Sequence, residues 1–195
     1  MLKLKDIMDC LPLLASVLGN QYGVTVEIGG NEAYTDGKTI HLPALPLDSE
    51  PELITMIKGY CDHESAHIRE TDFEILRKAQ LTPFQHNLFN TLEDWRVEER
   101  LSARYPGCRE NFRHLIQKLF GAQKAGDTNP AFSILNTILL TVRSWSVDAI
   151  IPRRESVAKT MERQYPGLRK ALDGILGRMR GSCKDTGDCI RYALE

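Results

Sequence analysis

Only one stretch of this chain alternates apolar and polar residues, and it is short. Val24, Val26 and Ile28 flank Thr25 and Glu27, and Thr39-Ile40-His41-Leu42 follows after breaks at Gly29-Gly30 and Asp36-Gly37. Residues that alternate this way point to opposite faces of a strand, so the segment predicts a pair of strands, closed by the stretch holding Pro43 and Pro46. Nearly everything else repeats at helical spacing. Leu4, Ile7, Met8, Leu11, Leu14 and Leu18 mark an amphipathic first helix, and Asp6 and Asp9 argue against a signal peptide there. Asp48, Ser49 and Glu50 are N-cap candidates ahead of Pro51 and Glu52, for a helix over 51–70. Further helices are expected at 72–79, 83–103, 109–122, 130–147, 153–163 and 166–179. The fold class is therefore α+β and mostly helical, with a small N-terminal sheet. One domain is expected over residues 1–195: sheet and site helices in 1–107, a helical part in 108–180, and a loose polar tail in 181–195.

Composition excludes several functions. A hydrophobic fraction of 42% and a charged fraction of 26% over 195 residues belong to a globular protein able to bury a core. A formal net charge of −1 gathers neither phosphate backbones nor anionic lipid, so no nucleic-acid or membrane partner is expected. Five cysteines without a CxxC pair fit reduced thiols in a cytoplasmic protein. Cys183 and Cys189 are close enough in sequence to close a small loop under oxidation.

The chemistry lies in His63-Glu64-Ser65-Ala66-His67. Residues four apart on a helix are turned only about 40° from one another, so both imidazoles face one point and one metal can bridge them. Glu64, about 100° further round, can reach a water on that metal and act as general base. This pattern predicts a Zn2+-dependent hydrolase of the zincin type, acting on a protein or peptide substrate. A catalytic zinc needs a third protein ligand. A further histidine six residues on is absent, since Phe73 stands there. The remaining candidates are the adjacent carboxylates of the next long helix: Glu93 is the first choice and Asp94 the alternative, with the other orienting a ligand or Arg96. On that helix Phe84, Leu88, Leu92 and Trp95 form one apolar face, while Asn90, Glu93, Asp94 and Val97 lie on the other side.

HESAHIRETDF followed by NTLEDWRVE resembles the HExxH...TDF...NxLEDxR pattern of metallopeptidase-like proteins related to the cobalt chelatase T subunit, found in bacteria and their phages. The resemblance covers residues 33–107 and takes in AYTDGKTIHLPAL and the YPG turn. It implies a mostly helical zincin-like metallopeptidase fold and a gluzincin-like site, with the acidic residue of the LED segment as third ligand. In that family the zincin-like part is often followed by a von Willebrand A domain, whose DxSxS sequence this chain lacks. By analogy with zincins, Thr39–Leu42 would line the cleft and pair with an extended substrate.

Other residues carry weaker readings. His86 is a candidate oxyanion donor two turns before Glu93, His41 lies on a strand taken as an edge, and His114 reads as structural. Asp72 either bonds a zinc histidine or caps the following helix. The rival reading is a non-catalytic zincin-like module that docks a protein partner such as an ATPase. A third is a peptidase silent until a partner opens it.

Overall fold

The computed structural model describes residues 4–44, 51–121 and 129–195. The order of elements is α1 (Leu4–Gly19), β1 (Thr25–Ile28), β2 (Tyr34–Thr35), β3 (Thr39–Leu42), α2 (Pro51–Glu70), α3 (Phe73–Ala79) and α4 (Pro83–Arg104). There follow α5 (Pro106–Phe120), α6 (Pro130–Arg143), a 3-10 turn (Asp148–Ile150), α7 (Ile151–Gln164), α8 (Leu168–Ser182) and α9 (Thr186–Leu194). The protein is thus mostly helical α+β with one small sheet. The N-cap candidates Asp48, Ser49 and Glu50 lie outside the described residues.

The chain divides into two compact units, Met1–Thr71 with Val97–Leu115, and Asp72–Arg96 with Ile116–Glu195. Helix α4 runs without a break from one into the other.

The first unit holds the sheet, in the order β1-β3-β2. The chain turns from β2 into β3 at Asp36-Gly37. There the Asp36 carboxylate accepts from the backbone N–H of Lys38 and Thr39, and Gly37 takes φ +94°, which a side chain would resist. Strand β3 then inserts beside β1, parallel to it from Thr25↔Thr39 to Ile28↔Leu42, and antiparallel to β2. This corrects the expectation for Thr39–Leu42. It is the central strand with both sides paired, so it offers no backbone edge to a substrate and His41 is on no edge strand. His41 instead stacks on Tyr34 at 4.3 Å, with Glu27 at 3.4 Å from its Nδ1.

Alternation puts Ile40 and Leu42 on the buried face, where they join Leu11, Ala15, Ile57, Cys61 and Ile68 of α1 and α2, and Val24 just before β1. Truncating such a residue to alanine typically costs about 2–5 kcal/mol. Gly59 lets α2 approach α5 closely, since a Cβ there would come within 3.1 Å of the Asn111 carbonyl and of Leu115.

The second unit is helical, around Phe89, Leu92, Ile138, Val142, Leu176, Met179 and residues of α9. Its last helix corrects the loose tail expected for 181–195. Asp185 caps α9 by accepting from the Asp188 N–H, and Cys189, Ile190, Tyr192 and Ala193 are buried. Their spacing is helical, but nine residues opening on Thr-Gly-Asp read as a turn. Cys183 and Cys189 are free thiols with sulfurs 3.2 Å apart. Among the described residues no helix is long and apolar enough to cross a membrane.

Candidate metal centre

Helix α2 begins with Pro51 and Glu52, suited to an N-terminus by a preset φ and a favourable charge. It continues to Glu70 with Ile57, Cys61, Ala66 and Ile68 buried. That burial fixes its rotation, and the five-residue motif falls in its last two turns. His63 and His67 present their rings together, centroids 4.8 Å apart and planes at 79°.

Each imidazole is held through Nδ1. His63 Nδ1 lies 2.7 Å from Oε1 of Glu98, a residue of α4 that is itself buried. His67 Nδ1 lies 2.9 Å from the Thr71 hydroxyl, one turn further along. A proton on Nδ1 would satisfy both bonds and leave Nε2 as the metal-facing atom of each ring. The carboxylate–histidine contact is the arrangement that orients imidazoles around metals.

Asp94 stands one turn before Glu98 on α4 and so faces the same way. Asp94 Oδ2 accepts from Arg143 Nη2 at 2.8 Å, which fixes that carboxylate's rotamer. Glu64 is 5% exposed, beside His63 on α2.

The first-choice third ligand has another occupation. Glu93 is fully buried and accepts from Arg96 at 2.6 and 2.8 Å and from the Thr186 hydroxyl at 2.8 Å. Burial alone would raise its pKa, but donation from Arg96, Cys189 and Thr186 outweighs burial and holds the carboxyl below the usual range. The Glu93/Arg96 pair is therefore an interior clamp, and the polar face of α4 is buried against Thr186.

The remaining candidates are settled by their contacts. Asp72 caps α3, accepting from the N–H groups of Glu74 and Ile75. His86 is exposed, its ring 6.1 Å from that of Phe89. His114 is half-buried, with Nε2 lacking a hydrogen-bond partner among the described residues. Sequence reasoning overlooked Glu98, Thr71, Arg143 and Thr186. The first had a signal, since it lies four residues after Asp94 on one helix. Arg143 and Thr186 are brought in only by tertiary folding.

The donors on α2 fit a divalent metal: two imidazoles, each with an outer partner at Nδ1. No characterised protein and no solved structure matches the chain. The profile of one family matches residues 4–185, almost the whole chain, and carries the likeness noted over residues 33–107 into the helical half. That family is described as Cobalamin biosynthesis protein CobT, and the chain belongs to it.

Proposed function

We propose that this protein is a zinc-dependent hydrolase that cleaves peptide bonds, with His63, His67 and Asp94 holding the metal and Glu64 as general base. The observation that carries the reading is the pair of imidazoles on α2, each held through Nδ1, with Glu64 buried on the same helix. Asp94 enters as the acid one turn before Glu98 that, unlike Glu93, is partly exposed. Two imidazoles and one carboxylate, with positions left open, suit catalytic zinc. When bound, zinc would lower the pKa of a water toward about 7 and polarise a carbonyl.

The chain's own residues do the rest. Glu98 and Thr71 keep the two imidazoles in one tautomer, and Arg143 orients Asp94. Glu64 takes a proton from the attacking water and passes it to the leaving amine as the carbon–nitrogen bond breaks. A purely structural site would need the histidines but no buried carboxylate at 64. Zincin-like topology is part of this proposal, although the pairing of β3 on both sides removes its strand from substrate binding.

A second reading is favoured by the family. Its description names cobalamin biosynthesis, and a non-catalytic metal-binding module that docks a protein partner in that process would need the same ligands. Metal analysis and a peptide-library screen separate the two. The hydrolase reading expects about one zinc per chain in wild type and in Glu64→Gln, with cleavage present in the first and reduced about 10²–10⁴-fold in the second. Zinc in both with cleavage in neither would leave the docking module. No zinc uptake by wild type on titration would overturn both.

A further inference from the structure

A separate groove of about 410 Å³ opens among α1, α2 and α5 in the first unit. Its volume is that of a small-molecule site, for which about 300–1,000 Å³ is usual. Helix α1 supplies apolar walls through Ile7, Leu11, Leu14 and Leu18. The polar end is Asp62, 2% exposed, whose Oδ2 accepts from Asn111 Nδ2 at 2.8 Å. The Cys108 thiol is a second donor to it.

Both donors are neutral. Lys58, one turn earlier on α2, acts on Asp62 only at a distance, and Asp62 forms no ion pair with the described residues. A buried carboxylate normally has a cationic partner, because neutral donors compensate its lost hydration only in part. Asp6 and Lys58 also line the groove. Asp62 and His63 are consecutive, about 100° apart on the helix, so α2 turns the acid away from the direction of the paired imidazoles.

We infer that this groove binds a small amphipathic ammonium, an alkyl or arylalkyl amine whose charged head meets Asp62 and whose hydrocarbon lies along α1. The alternative use of Asp62, a strut between α2 and α5 through Asn111, requires neither the groove nor a preference among ligands. Cys10 provides a reporter, since it is exposed and lines the groove.

Three ligands of equal chain length test the inference on the whole protein by calorimetry: hexylammonium, hexanol and hexanoate. Hexylammonium is expected to bind at least about tenfold more tightly than hexanol, the lower range for a charge-assisted hydrogen bond, and hexanoate is expected to fail. Hexylammonium should also slow alkylation of Cys10 and leave that of Cys183 unchanged, a readout that needs no variant. Asp62→Asn should abolish the preference for the amine, and His67→Ala should retain it, which separates the groove from the metal centre. Equal binding of hexanol and hexylammonium, no binding of either, or unprotected Cys10 would overturn the inference.

Discussion

Glu93 and Asp94 are consecutive residues of α4 and near-equal in chemistry, yet their surroundings give them opposite capacities. Glu93 is sealed: a guanidinium fork and a hydroxyl occupy its oxygens, and nothing of it reaches solvent. Asp94, about 100° round the helix, has a side chain 23% exposed and accepts from Arg143 through Oδ2. Two carboxylates side by side on one helix therefore serve different ends. The Arg96 clamp occupies both oxygens of Glu93 inside the second unit, while Arg143 orients Asp94 through one oxygen.

The largest expected effect breaks the clamp. Glu93→Ala leaves the Arg96 guanidinium buried without its carboxylate and should cost about 3–5 kcal/mol in denaturant unfolding. Glu93→Gln, which keeps the shape, should cost less and still bind zinc at wild-type stoichiometry. The same clamp sets a pH dependence. Because the Glu93 carboxyl lies below its usual value in the folded protein, its contribution is present above the unfolded pKa of about 4.3 and is lost as pH falls through the lower folded value. Stability should therefore fall less steeply below about pH 4 in Glu93→Gln than in wild type. Equal slopes would show that the pair does not titrate as described.

Asp94→Asn tests the other half of the comparison. It keeps a hydrogen bond to Arg143 and should lose roughly 1–3 kcal/mol, but metal analysis should find no stoichiometric zinc. Zinc retained in Asp94→Asn and lost in Glu93→Gln would reverse the assignment.

Sequence reached the paired imidazoles on α2 because His63 and His67 lie about one helical turn apart, where spacing alone determines that two rings meet. The long helices were legible for the same reason: α2 matches the expected 51–70, and α4 lies within a residue of the expected ends. Choosing between Glu93 and Asp94 was a different problem. Both lie on the polar side of α4, and only partners from elsewhere in the chain, Arg143 and Thr186, decide which of them is enclosed. Strand order was hidden too. Period two marks β1 and β3 but does not reveal that the short β2 pairs on the far side, which makes Thr39–Leu42 central. The cap of α9 and its five buried residues were present in the sequence, in a helix too short for periodicity to stand out.

A smaller effect sharpens the site without removing a ligand. Glu98→Gln keeps a hydrogen-bond acceptor near His63 but removes the carboxylate charge beside the ring. Zinc affinity measured by competition with a chelator should fall about 10–100-fold, with stoichiometry preserved at saturating metal. An unchanged affinity would mean that Glu98 only fills space beside the ring.

The smallest effect separates capping from metal binding at Asp72, for which the sequence allowed both. Its carboxylate accepts from two N–H groups at the start of α3, donors that would otherwise have no partner within that helix. Asp72→Ala should lower stability by about 1 kcal/mol, and Asp72→Asn or Asp72→Ser should restore most of it, because those side chains also cap. Zinc affinity should be the same in all four proteins. A loss of affinity that Asn and Ser fail to repair would place the Asp72 charge within reach of a metal-binding histidine, and the division of labour between α3 and the site would have to be redrawn.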